Sequence, residues 1–185
     1  MSWEDRLEKV TSRTVPLYAL IVILVIVADP TWTSRMLGIP LIIAGEALRF
    51  WATGHLRKNE ELTTSGPYAH IQSPLYLASF VIATGLCLMA NNIIVWILMA
   101  LVYFLTYIPR KKEREWGRLE RMFGEDFQKY KSEVPYMFPP RMDPYPHGAK
   151  HLWSFAATIE NTEHQTGIAV FLITFFIFGR HILFF

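Results

Sequence analysis

The stretch IQSPLYLASFVIATGLCLMANNIIVWILMALVYFLTYIP, residues 71–109, runs for 39 positions without an Asp, Glu, Lys, Arg or His. As a single helix it would be about 58 Å long at about 1.5 Å per residue, against a hydrocarbon core of about 30 Å. Asn91 and Asn92 stand at its middle, and asparagine tolerates the backbone conformations of a tight turn. The stretch therefore predicts a helical hairpin, with spans at about 71–90 and 93–109. Residues 110–163, which follow, hold ten Lys/Arg and nine Asp/Glu, 19 of the chain's 34 formal charges. A water-soluble domain spreads charge over its surface helices; charge confined in this way points to a polytopic membrane protein.

Three more apolar segments complete the count: about 12–29, closed by Asp29-Pro30; 36–54, which carries Glu46 and Arg49; and 167–185, interrupted only by Arg180 and His181. The expected fold is all-α, a single membrane domain over 1–185 with about five transmembrane helices and additional cytoplasmic amphipathic helices. Loop charge orients it. Arg6, Lys9 and Arg13 precede the first span, Arg57 and Lys58 follow the second, and ten basic residues follow the fourth; only Arg35 lies between the first two spans. The N-terminus and the two long polar loops are thus expected in the cytoplasm, at the inner membrane in a bacterium. The opening residues are acidic and amphipathic rather than basic, so no cleaved signal peptide is expected. A net charge of +2 is too small for a binder of nucleic-acid phosphates, and one cysteine, Cys87, excludes a disulfide framework or thiolate cluster.

Chemistry is then expected where the two cytoplasmic loops meet. The first loop contains Gly66-Pro67-Tyr68 and Ser73-Pro74-x-Tyr76. Pro74 suits the first position of a helix and Ser73 its N-cap, and a helix start offers free N–H groups to a carboxylate. In the second loop Trp116, Leu119, Met122 or Phe123, Phe127 and Tyr130 recur at helical spacing, which predicts an amphipathic helix broken at Gly124 and stopped at Pro135. Residues 110–140 would complete the site, and 141–166 read as a proline-rich strap and an interfacial helix. Glu46 and Arg49 share one helix face, either as a functional pair at membrane depth or as a mutually neutralised one.

Taken together, the two loops resemble the isoprenylcysteine carboxyl methyltransferase and phospholipid methyltransferase superfamily of integral membrane enzymes. Gly66-Pro67-Tyr68 and Pro74-x-Tyr76 match its first block; Glu115, Leu119, Phe123-Gly124, Tyr130, Val134-Pro135 and Pro139 match its second. The similarity covers roughly residues 36–140. Gln72 and Ser73 replace an Arg-His, Trp116 replaces the second Glu of a pair, and Phe127 replaces a Tyr, so the family's Arg-His-Pro motif is divergent here. The resemblance implies S-adenosylmethionine held between the blocks by Leu62, Gly66, Tyr68, His70, Gln72, Ser73, Pro74, Tyr76, Glu113 and Glu115. It implies methyl transfer to a carboxylate or amine of a lipophilic or membrane-embedded acceptor, with Glu115 and Arg49 as the residues that carry it. Glu113 could stand in for the missing carboxylate. In physical terms a carboxylate suits the donor's amino group or ribose hydroxyls, and tyrosine rings suit a sulfonium cation.

Two other classes fit part of the pattern. One is a catalytically decayed member acting as a membrane scaffold or lipid-binding protein. The other is a reductase like the sterol reductases, whose cofactor phosphates call for more basic residues than Arg57 and Lys58. His147 and His151 stand four apart with Glu160 and His164 downstream, but no fourth ligand has defined spacing, and no metal is expected. Membrane lipids are the expected surroundings; oligomeric state is not legible.

Overall fold

The structure, a computed structural model, describes residues 21–58, 60–148, 151–161 and 163–183. The described residues are all-helical, with no strand. Helix α1 covers 21–27 and α2 covers Trp32–His55; a 3-10 turn follows at Gly66–Ala69, then α3, Pro74–Ala90, and α4, Ile93–Ala100. A π-helical segment, Leu101–Tyr107, carries α4 into α5, Ile108–Glu133; α6, Phe155–Glu160, and α7, Glu163–Leu183, end the description. Residues 12–20, half of the expected first span 12–29, lie outside the described residues.

Local chemistry sets the helix ends. Thr31 opens α2 with a reciprocal capping box: its Oγ1 accepts from the Ser34 N–H at 3.1 Å, and Ser34 Oγ accepts from the Thr31 N–H at 2.9 Å. Asn91 closes α3 in the left-handed region (φ 50°), and Asn92 caps α4 by accepting from the Ile94 N–H at 2.9 Å. The uncharged run therefore splits where its two asparagines stand. Their amides also tie the hairpin tip to the preceding turn, donating to the carbonyls of Asp29 and Val27 at 3.2 and 3.0 Å.

Helices α2 and α3 pack through small residues. Gly38 lies against Gly85, and Gly45 against Ala78 and Ile82, an arrangement that lets two backbones approach closely. Leu24, Ile42, Met89, Val95, Met99 and Ile177 form the core between α1, α2, α3, α4 and α7. The outer faces stay apolar: Ile43 and Trp51 on α2, Ile94 and Ile97 on α4, and Phe171 and Phe175 on α7 are exposed. By length and composition Trp32–His55 is the one described helix able to cross a membrane; Pro74–Ala90, Ile93–Leu105 and His164–Gly179 are shorter apolar helices.

Beyond α5 the chain departs from its expected outline. The interfacial helix shrinks to Phe155–Glu160, because tertiary bonds hold residues 151–154 extended. The Ser154 N–H donates to the Gly54 carbonyl at 2.9 Å and Trp153 Nε1 to the Phe50 carbonyl at 3.2 Å. Asn161 Nδ2 adds bonds to the carbonyls of Thr53 and Leu56 at 3.2 and 3.1 Å. The strap is thereby clipped to the end of α2.

Candidate functional site

The first wall of the site begins at the end of α2. Gly66 turns the chain with φ +57° directly over the His55 ring, where a Cβ would come within 2.3 Å of Cδ2. Backbone freedom and space both require glycine there. The chain next runs beside the end of α5, with the Gln72 N–H donating to the Pro135 carbonyl at 2.9 Å and the Ser73 N–H to that of Tyr136 at 3.1 Å. Gln72 Nε2 donates to the carbonyls of Lys131 (3.2 Å) and Val134.

The second wall is α5, which bends at Gly124 (φ 47°, ψ −119°). A Cβ at Gly124 would meet nothing within 4 Å, so conformation alone asks for glycine. The bend brings Phe127 and Tyr130 into a small core with Ala69, Val134 and Tyr145. Burial pushes the Tyr130 phenol up, keeping it neutral, and its hydroxyl donates to the Tyr68 carbonyl at 2.7 Å. Tyr130→Phe is therefore expected to destabilise the protein by about 1–3 kcal/mol, the cost of removing the donor from a buried acceptor. Thermal unfolding in detergent checks this; an unchanged midpoint would mean that the two walls are not joined at this bond.

Between the walls lies a cavity of about 500 Å³. The first wall contributes Arg57, Lys58, Glu61, Leu62, Thr63, Tyr68, Gln72, Tyr76 and Ser79; α5 contributes Arg114, Glu115, Arg118, Leu119, Met122, Phe123 and Tyr130; Arg49 comes from α2. A second cavity of about 220 Å³ adjoins it, apolar and lined by Leu24, Ile82, Leu86, Val95, Met99, Val170 and Ile173 among others. Arg49 and Ser79 line both cavities, joined by a hydrogen bond of 2.8 Å from Arg49 Nη1 to Ser79 Oγ. Glu46 does not share this position. Its Oε2 lies 3.9 Å from where a Cβ on Gly167 of α7 would stand.

Of the residues singled out from the sequence, Arg49, Leu62, Tyr68, Gln72, Tyr76 and Glu115 come together around this one cavity. Gly66, His70, Ser73, Pro74 and Glu113 do not line it. His70 turns the other way, its Nδ1 2.8 Å from the Arg141 carbonyl oxygen. Ser73 occupies the N-cap position of α3 without a side-chain capping bond, and Pro74 is fully buried behind it. Glu113 is exposed.

Trp116 is also absent from the wall. Its ring lies under Lys112 Nζ at 4.3 Å and Lys131 Nζ at 4.1 Å, with Tyr136 edge-on at 5.9 Å, a cation–π arrangement that ties the two halves of α5 together. Ser79, Arg114 and Arg118 are cavity residues that the sequence reading passed over. The signal was present: Arg114, Arg118 and Met122 recur at four-residue spacing on the face of α5 beside Glu115 and Leu119, and Ser79 stands one turn beyond Tyr76. His151 pairs with Glu61 at 2.8 Å. Among the described residues no three His, Cys, Asp or Glu side chains gather as a metal site.

The sequence model of the phospholipid methyltransferase family matches residues 33–126. This chain belongs to that family. The match contains α2, α3, α4 and the first part of α5, hence residues of both cavity walls, and leaves out the strap and α7. Among relatives of this methyltransferase-family chain, a cobalt-zinc-cadmium resistance protein of Cupriavidus metallidurans is 32% identical over 161 residues, covering 81% of this chain and 72% of that protein. A nickel-cobalt-cadmium resistance protein of Alcaligenes xylosoxydans xylosoxydans is 35% identical over 119 residues, 60% of this chain and 54% of that protein. Human protein-S-isoprenylcysteine O-methyltransferase is 32% identical over 121 residues, 59% of this chain. The chain spans 54% of the Alcaligenes protein and 42% of the human one. No solved structure matches it.

Proposed function

We propose that this protein is an S-adenosylmethionine-dependent methyltransferase for a lipophilic or membrane-embedded acceptor, working at the cytoplasmic face of a five-span bundle. The observation that carries the reading is the pair of adjoining cavities, one lined by charged side chains as well as apolar ones and the other almost wholly apolar, meeting at Arg49 and Ser79. Family membership supports the reaction class, and the N-terminus-inside orientation rests on loop charge.

The cavity lined by charged side chains suits the methyl donor. Its volume of about 500 Å³ falls within the range of roughly 300–1,000 Å³ usual for small-molecule sites. Glu115 offers a carboxylate to an amino group or ribose hydroxyls, Leu62 and Leu119 offer apolar surface, and the rings of Tyr68 and Tyr76 offer π-faces to a cation. S-adenosylmethionine, when bound, supplies a methyl group on a positively charged sulfur. No nucleophilic side chain or metal is needed for the transfer; the protein's work is to align acceptor and donor, worth up to about 7–11 kcal/mol in favourable cases. Arg49, held by Ser79 at the junction, would fix a carboxylate or phosphate of the acceptor while apolar groups of the acceptor occupy the second cavity. Such a division lets the polar donor arrive from water and the acceptor from the bilayer.

Calorimetry of the detergent-purified protein with S-adenosylmethionine and its demethylated product tests the reading. Saturable binding of both is expected. If neither ligand produces heat or a thermal shift, the enzyme reading fails, and a family member retained as a scaffold or lipid-binding protein takes its place.

A further inference from the structure

The main cavity holds more positive charge than the methyl donor can use. Arg57 and Lys58 reach it from the loop after α2, and Arg114 and Arg118, one turn apart, reach it from α5. None of these four side chains has a hydrogen bond or ion pair with a described residue. Two carboxylates share the wall: Glu115, and Glu61, whose Oε1 lies 2.8 Å from His151 Nε2. These four cations, with Arg49 beside them, outnumber the two carboxylates of the cavity. Like charges gathered in a partly enclosed site raise one another's energy, and a bound anion relieves that cost.

The number and kind of cations select the anion. A carboxylate has two oxygens and is satisfied by one guanidinium fork, whereas a phosphate spreads its charge over several oxygens and accepts from several forks at once. The donor's single carboxylate would engage one of the four cations. We propose that Arg57, Lys58, Arg114 and Arg118 form a binding site for a phosphate-class anion on the wall of the main cavity. The group could be carried by the headgroup of an anionic lipid or be a free phosphate or diphosphate. This site does not depend on the methyl-donor reading, because anion binding is measured without the donor.

The test uses the full chain in detergent, titrated by calorimetry with inorganic pyrophosphate in one arm and short-chain phosphatidylglycerol in the other. Saturable binding of at least one probe is expected. Two double variants on separate elements, Arg57→Gln with Lys58→Gln and Arg114→Gln with Arg118→Gln, should each weaken it at least tenfold. Arg121→Gln with Lys129→Gln, which removes two exposed cations of α5 outside the cavity wall, should leave affinity within twofold. Binding of pyrophosphate alone assigns a free phosphate, binding of the lipid alone assigns a headgroup, and binding of both assigns the phosphate group itself. The proposal is overturned if neither probe saturates, or if the Arg121/Lys129 pair costs as much affinity as the cavity pairs.

Discussion

A leucine in place of Gly85 should leave little or no folded protein to purify. A Cβ at this position would stand 2.8 Å from the Gly38 carbonyl oxygen and 2.8 Å from Ile42 Cγ1, and a Cβ on Gly38 would stand 2.5 Å from the Gly85 carbonyl oxygen. Backbone, unlike the end of a flexible side chain, has no alternative rotamer, so α2 and α3 must separate to admit even one carbon. Overpacking a core costs about 1–3 kcal/mol when side chains can shift. Forcing two helices apart along their main contact should exceed that and take a large share of a total stability of about 5–15 kcal/mol. Gly117→Ala supplies the contrast. A Cβ there would meet only Arg121 Nη1 at 3.7 Å, and replacing a helical glycine by alanine gains up to about 1 kcal/mol. Yield, monodispersity and the thermal midpoint in detergent separate the two cases. A Gly85→Leu protein that melts with the parent would refute the packing of α2 on α3.

Much of the framework is legible from residues that dictate backbone. Asn91 and Asn92 mark the hairpin, Gly124 marks the bend in α5, and Pro135 lies just past its end, because each sets a dihedral or removes a donor irrespective of distant neighbours. Which side chains face the cavity is less legible, since that depends on tertiary partners. His70 is drawn away by the Arg141 carbonyl, and Trp116 by two lysines that stand four residues before and fifteen residues after it. Family likeness places both residues in the right loops but does not orient them. The contraction of the expected interfacial helix has the same origin, as Trp153 and Ser154 bond to the end of α2 rather than continue a helical ladder.

Glu115→Ala should weaken S-adenosylmethionine binding about 10- to 100-fold, the largest effect expected of any single cavity residue. Glu61 lies toward His151, 2.8 Å away, and Glu115 on α5 is the carboxylate placed to meet a cationic amino group or a ribose hydroxyl. A hydrogen bond to a charged group contributes about 1.5–3 kcal/mol, and each 1.4 kcal/mol is about tenfold in affinity. Glu115→Gln separates charge from shape: if the partner is the amino group, glutamine should recover little of the loss, whereas a hydroxyl partner should accept the amide with a smaller penalty. Glu113→Ala, two residues earlier and exposed, should stay within twofold of the parent, as should His147→Ala on the exposed strap. Binding isotherms of the four variants decide the matter together. If Glu113→Ala loses the ligand while Glu115→Ala keeps it, then α5 presents its opposite face to the donor, and the cavity between the two loops is not where the methyl group is delivered.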